Sequence, residues 1–285
     1  MKKLFLRGGL GNQLFQFSFM HHNSFSPEER FEIWMVDQKR QDRPFILSPV
    51  LPHCEHALNA SISNPSNQNE NLWGNVVTFF EVQGKLLIES KEHLYEKFDT
   101  SQYDGVFSFF ETSRYVDESW ANFGPELLHS LATIENFSPL VANGEYIAIH
   151  FRRGDFISHN PFGLLGKDYY VEALNRIPSA DRAALPIFGF TDDVENIKDL
   201  ASELGVTQLF GPESSTAWQA LKSLSEAKYI IAANSTLSWW AAYIASRSGR
   251  TTYIPRPWFP NWDESIVDCL EFSGANIVPS AFEEQ

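Results

Sequence analysis

The 285-residue chain predicts an α/β protein of two halves meeting across a cleft. Three observations carry that expectation. From Tyr146 onward, short apolar runs alternate regularly with helical stretches, the pattern of a parallel sheet joined by right-handed crossovers. The chain opens on a strand, a glycine turn and a helix. Its length also suits two domains, each able to bury its own core, and the division is placed at 1–140 and 141–285.

Residues 3–6 read as the first strand, which Gly8-Gly9-Leu10-Gly11 breaks, and residues 12–20 have helical composition. A second strand is expected over 31–36. Residues 61–71, rich in Ser and Asn with one Pro, follow neither period and read as an exposed loop. Strands at 76–80 and 85–88 and a helix within 119–133 complete the first half. The second half reads as strand 146–149, helix 168–175, strand 186–190, helix 194–204, strand 208–210, helix 217–227, strand 229–232, helix 237–245 and strand 251–254. Ligands of such sheets bind beyond the carboxyl ends of the strands.

Composition removes several classes. A formal charge of −14 argues against nucleic acid, whose binders carry a basic stripe that releases counterions. Any anionic ligand is therefore held locally. The basic start Met1-Lys2-Lys3 reaches glycine before a hydrophobic region of signal-peptide length, and the apolar stretch around Trp239, Trp240 and Tyr243 is too short to span a bilayer. Two cysteines, Cys54 and Cys269, supply neither a disulfide scaffold nor a cysteine-rich metal site. A soluble protein of a reducing cytoplasm is expected, and the three Asn-X-Ser/Thr matches at Asn59, Asn136 and Asn234 are read as chance. Twenty-four Phe and eight Trp suit a thick core and equally suit platforms for sugar rings or bases.

Three strand ends of the second half carry polar clusters. After the first come His150, Arg152, Arg153 and Asp155. Guanidinium forks match phosphate oxygens two at a time and stay charged at physiological pH; the plainer reading is one Arg paired with Asp155 and the other solvated. After the next comes Thr191-Asp192-Asp193, suited to a helix cap, to the donor edge of guanine, or, with too few ligands by itself, to a divalent metal. After the last comes Asn234-Ser235-Thr236, an N-cap or an anion seat at a helix N-terminus. The run Gly9-Leu10-Gly11-Asn12-Gln13-Leu14 has leucine where a dinucleotide fingerprint has its third glycine. Asp37 as a ribose partner keeps that reading open, beside a plain tight turn.

Taken together, Gly8 to Gln16, His150-Phe151-Arg152-Arg153-Gly154-Asp155, Phe190-Thr191-Asp192-Asp193 and Asn234 to Ala242 resemble the α-1,2-fucosyltransferases of glycosyltransferase family 11, in the family's order and over nearly the whole chain. The stretch 217–243 resembles the family pattern throughout, and 105–115 resembles a family segment with Glu111 in place of the expected glutamine. The resemblance implies a GT-B-like fold of two Rossmann-like α/β domains, with GDP-β-L-fucose held mainly by the C-terminal one and the acceptor by the N-terminal one. It further implies inversion at the anomeric carbon and no required metal or cofactor. It places Arg152 and Arg153 on the GDP pyrophosphate, and His150 with one of Asp192 and Asp193 near the guanosine. Ser235 and Thr236, next to Asn234, fall on the phosphate-binding turn, and Gly9, Gly11, Asn12 and Gln13 on a loop facing the donor sugar and the cleft. A terminal β-galactoside, lactose or an N-acetyllactosamine-type end, is the acceptor it suggests. Asp155 is a candidate base from location alone, with orientation of an Arg as its other role. His21, His22, Trp34 and Glu111 are candidates for the acceptor side.

Overall fold

The computed structural model describes residues 3–22, 32–35, 46–50, 85–88, 93–99, 102–158, 162–263 and 266–283. The expected loop at 61–71 and strand at 76–80, and Cys54, Asp37 and the Asn59 match, lie outside them. The chain forms two compact units, Met1–Ser130 and Leu131–Gln285, each built on a parallel sheet, the α/β class expected from the sequence.

In the first unit β1 (Lys3–Leu6), β2 (Glu32–Met35), β3 (Leu86–Leu87) and β4 (Gly105–Val106) pair in the order β2-β1-β4-β3, all parallel. Leu4, Phe5 and Leu6 are buried, as befits a strand covered on both faces. Helix α1 (Leu10–His22) follows β1 and begins two residues before its expected start. Its burial extends beyond Leu14, Phe15, Phe17 and Phe19 to Gln13 and Gln16. These two amides act as surrogate strand partners for the turn. Gln16 accepts from Arg7 N and donates to Arg7 O, both at 3.0 Å, while Gln13 donates to Gly8 O at 2.9 Å and accepts from Ile46 N at 3.2 Å. Gly8 alone in this turn is fixed by backbone conformation: its φ is +79° and a Cβ would lie 2.8 Å from that of Asn12. Helix α2 (Ser113–Thr133) starts six residues ahead of the expected window and buries Tyr115, Val116, Phe123 and Leu127 at helical spacing. Strand β4, two residues long, was not expected from the sequence.

The second unit runs β5 (Ile147–Phe151), α3 (Gly154–Ser158), α4 (Lys167–Asn175), α5 (Ser179–Ala184), β6 (Ile187–Thr191), α6 (Lys198–Glu203), β7 (Gln208–Phe210), α7 (Ala217–Glu226), β8 (Tyr229–Ile231), α8 (Thr236–Arg247), β9 (Thr251–Arg256) and β10 (Ala275–Pro279). Its sheet has the order β10-β9-β8-β5-β6-β7, all parallel. The chain thus lays β6 and β7 on one side of β5, then crosses to lay β8, β9 and β10 on the other, the Rossmann strand order. Ile147, Ile149 and Phe151 pack with Tyr229 and Ile231 beneath Tyr169, Tyr170 and Ala173 of α4. Trp239 and Trp240 of α8 are wholly buried, and Trp239 Nε1 donates to Leu270 O at 2.6 Å.

Two expectations change here. The helix expected over 194–204 is confined to Lys198–Glu203; ahead of it the chain runs through a turn in which Ile197 N and Lys198 N both donate to Val194 O, at 3.3 and 3.1 Å, while Asp193 N donates to Thr191 Oγ1 at 3.0 Å and Asn196 N to Asp193 Oδ1 at 3.2 Å. The sequence reading also ends its strands at 254, whereas β10 adds an edge strand in register with β9.

Candidate active site

Strand β5 is central and flanked by β6 and β8, with His150 opposite Phe190 and Ile149 opposite Ile231. The three polar clusters of the sequence therefore leave the sheet side by side at its carboxyl edge. The boundary between β5 and β8 is where strand order reverses, the place at which open α/β sheets take their ligands.

Arg152 is held from two sides. Its Nη2 donates to Asp155 Oδ1 at 2.6 Å and its Nη1 lies 2.7 Å from Asp192 Oδ2. The guanidinium carbon sits 5.1 Å from the centre of the Phe156 ring, and the side chain stays 24% exposed. Asp192 also accepts from Arg153 N at 2.8 Å, so one carboxylate fixes both the loop backbone and the guanidinium fork. Gly154 makes room for it, since a Cβ there would lie 2.3 Å from Asp192 Oδ2. Asp155, the candidate base, is thus paired with Arg152.

Arg153 is placed differently from its neighbour. Only 5% of its side chain is exposed, Nη1 pairs with Glu283 Oε1 at 2.6 Å, and Nη2 donates to Leu165 O at 3.3 Å. The segment bearing Glu283 is itself fastened to the loop before α4: Gly166 N donates to Ala281 O at 2.7 Å and Glu283 N to Leu164 O at 2.8 Å. Asn234 grips the same loop from β8, donating through Nδ2 to Phe162 O at 2.9 Å and Gly163 O at 3.1 Å. Arg153 and Asn234 therefore converge on residues 162–166, a loop the sequence reading did not single out. Among the described residues, the Nε atoms of Arg152 and Arg153 and Oδ1 of Asn234 are buried without a partner, leaving polar capacity at this edge of the sheet.

His150 is 5% exposed, and its buried Nδ1 has no partner among the described residues. Burial, reinforced by the Arg152 charge, pushes its pKa down to about 3. Burial thus holds the imidazole neutral at physiological pH. Asp193 is committed to its own turn, accepting from Asn196 N at 3.2 Å and Asn196 Nδ2 at 2.6 Å. Ser235 is the N-cap of α8, accepting from Ser238 N at 3.4 Å, and Thr236 is the first helical residue. The positive end of the twelve-residue helix α8 thus opens at the reversal point.

In the first unit Gly9 O accepts from Gln13 N at 3.0 Å, and Gly11 is buried within α1. Asn12 Nδ2 donates to Glu111 Oε1 at 3.0 Å. Of the other acceptor-side candidates, His22 Nε2 lies 2.7 Å from Glu118 Oε2, burial lowers the pKa of His21, and Trp34 falls on β2. Among the described residues no three His, Cys, Asp or Glu side chains group as a metal site, and no helix is long and apolar enough to cross a membrane.

Strand order and strand-end loops define a chain of Rossmann-like α/β units. The family model described as Glycosyl transferase family 11 matches residues 121–265, slightly more than half of the sequence. The chain belongs to glycosyltransferase family 11, which removes the dinucleotide-oxidoreductase reading of the N-terminal glycines. An α-1,2-colitosyltransferase of Escherichia coli is 30% identical over 128 residues, 43% of this chain and 44% of its own. The O-antigen biosynthesis glycosyltransferase WbnK, also of E. coli, is 27% identical over 173 residues, 56% and 57% of the two chains. The matches thus span about half the length of these curated relatives. Among solved structures, the E. coli heptosyltransferase WaaC with ADP aligns over 98% of this chain and 91% of its own at 12% identity and a TM-score of 0.45, a likeness of backbone only.

Proposed function

We propose that this chain is an inverting galactoside α-1,2-fucosyltransferase. It moves L-fucose from GDP-β-L-fucose to the 2-hydroxyl of a terminal β-galactoside, without a metal or cofactor, in the cytoplasm. The second unit takes the donor and the first unit the acceptor. One observation carries the reading: in a family 11 chain, a guanidinium paired with two carboxylates follows strand β5, and the N-terminus of α8 follows the neighbouring strand β8, at the reversal point of a Rossmann-ordered sheet. Breaking the bond between fucose and phosphate builds negative charge on GDP, and a guanidinium already fixed in place stabilises that charge without reorganising. Removing such a group costs about two to three orders of magnitude in rate. Arg152, partly exposed, is the phosphate-contacting residue in this scheme; Asp155 and Asp192 orient it, and Arg153 and Asn234 support the loop beside it. Neutral His150 is assigned to the guanosine, with the N-terminus of α8 at Ser235 and Thr236 on the diphosphate. Gly9 in the turn, and Gly11, Asn12 and Gln13 at the start of α1, are assigned to the side that faces the donor sugar.

The colitosyltransferase relative supports a second donor, the GDP derivative of colitose, which is fucose without its 3-hydroxyl. The deciding experiment incubates the purified protein with GDP-fucose and lactose in excess EDTA and identifies the product linkage by NMR. An α-1,2-fucosylated galactose is expected. Transfer from GDP-colitose alone would replace the donor, and activity that returns only with Mg²⁺ or Mn²⁺ would refute the metal-free scheme.

A further inference from the structure

The loop ahead of α4 is gripped along its whole backbone. The consecutive carbonyls of Phe162, Gly163, Leu164 and Leu165 each accept a hydrogen bond from outside the loop. Asn234 Nδ2 reaches Phe162 O at 2.9 Å and Gly163 O at 3.1 Å, Glu283 N reaches Leu164 O at 2.8 Å, and Arg153 Nη2 reaches Leu165 O at 3.3 Å. These donors follow β8, β10 and β5, so strands from across one sheet converge on a single loop. Gly166 N returns a bond to Ala281 O at 2.7 Å, and Leu165 pairs with Phe282 in an antiparallel bridge.

Glu283 takes part twice, through its backbone N and through Oε1, which lies 2.6 Å from Arg153 Nη1. The Arg153 side chain is 5% exposed, and a buried charge requires a partner. Released from Glu283, this guanidinium would compete with Arg152 for Asp192, whose Oδ1 already accepts from Arg153 N at 2.8 Å and whose Oδ2 lies 2.7 Å from Arg152 Nη1. A second route runs through rings. Phe162 stacks on Phe156 with centroids 4.8 Å apart and planes 26° from parallel, and the Phe156 ring centre lies 5.1 Å from the Arg152 guanidinium carbon. Loosening the loop therefore loosens the surface on which Arg152 rests, because close-packed groups transmit a displacement to their neighbours.

We propose that Glu283 is a positioning residue for the donor. By occupying Arg153 and fastening the loop 162–166, it leaves Asp155 and Asp192 to Arg152 and keeps that guanidinium in the orientation that receives the diphosphate. The inference rests on the reading of Arg152 as the phosphate-contacting residue.

The test measures GDP and guanosine binding by NMR titration for wild type, Glu283→Gln and Glu283→Ala, well below each melting temperature. Guanosine presents base and ribose without the diphosphate. Wild type should prefer GDP. Glu283→Ala should bind GDP roughly 10- to 100-fold more weakly, the range of a hydrogen bond to a charged group, with guanosine affinity unchanged. In turnover its kcat should fall by up to about 100-fold, as a small misplacement of a reacting contact produces, while the KM of the acceptor stays. Glu283→Gln keeps an oxygen for Arg153 Nη1 and should retain most of the preference. As a control, Arg176→Met removes a tie to Ile277 O at the far end of α4 and should leave the preference for GDP intact. An unchanged preference in Glu283→Ala would overturn the proposal, and so would an equal loss of GDP and guanosine, which a merely structural role produces. The same loss in Arg176→Met would overturn it too. A wild type without preference for GDP would remove the assignment of Arg152 and the positioning role together. Loss of the preference in Glu283→Ala, beside a wild type that transfers no sugar, would retain positioning and overturn the transferase reading.

Discussion

Removing Glu283 should destabilise the second unit more than removing the arginine it pairs with. The Arg153 side chain is 5% exposed and that of Glu283 38%. Glu283→Ala would therefore leave a buried guanidinium with Leu165 O as its remaining partner, while Arg153→Met would leave a carboxylate that water can reach. Breaking a fully buried pair by deleting one partner costs about 3–5 kcal/mol, and an exposed pair is worth about 0–1 kcal/mol. A pair with one end buried and the other wet falls between, and we expect about 2 kcal/mol for Glu283→Ala. For a unit of this size that corresponds to roughly 4–8 °C in Tm. Urea unfolding followed by tryptophan fluorescence suits the measurement, since Trp239 and Trp240 are fully buried in this unit, and an unchanged m-value would show that the same transition is being read. Arg153→Met should cost less, and the double variant Arg153→Met/Glu283→Leu should recover most of the loss. A cost below about 0.5 kcal/mol for Glu283→Ala, or a larger one for Arg153→Met, would refute the view of Arg153 as an internal clamp.

Gly154→Ala should impair transfer with little global unfolding, because the new methyl would displace an Asp192 carboxylate bound to Arg153 N and Arg152; activity measured beside a thermal melt checks this, and a wild-type rate would contradict it. His150, with its pKa lowered to about 3, should make the fold acid-sensitive. The unfolded chain binds its proton near pH 6.5 and the native state does not, so stability is full above pH 6.5 and falls by up to about 1.4 kcal/mol per unit between there and pH 3. Urea midpoints across that window should decline less steeply for His150→Asn. Gln16→Leu should leave both backbone groups of Arg7 without their bracket, costing about 2 kcal/mol or more by urea unfolding; a neutral result would show that water replaces the amide.

What the sequence disclosed about this molecule follows from how local each signal is. Strand β5 and the loop after it are visible because an apolar run ends abruptly in two guanidiniums and a carboxylate. The spacing of β6, β7, β8 and their helices is visible because each element carries its own period. Strand β10 is hidden because Ala275–Pro279 is a half-exposed edge with Asn276 and Pro279 in it, and α3 and α5 are too short to show a period. The roles of the two arginines are not legible either: they are adjacent in sequence, yet the one that meets Glu283 is set by a fold contact across the length of the unit. Gln13 and Gln16 stand out as polar residues in an apolar helix, but that they grip Arg7 and Gly8 depends on the turn bringing the backbone back past them.

The central position of β5 has a consequence during synthesis. Its first edge pairs with β6, which follows it closely, but its second edge waits for β8, with Ile147 opposite Tyr229. At about 5–20 residues per second, the ribosome takes on the order of 4–16 seconds to make the intervening chain. Throughout that interval the strand Ile147–Phe151, every residue of which is buried in the finished unit, has one bare hydrogen-bonding edge, the form of strand most prone to pair with another molecule. A nascent chain stalled between β7 and β8 should therefore be the aggregation-prone species, and the loops that meet at β5 and β8 come together only after that edge is closed.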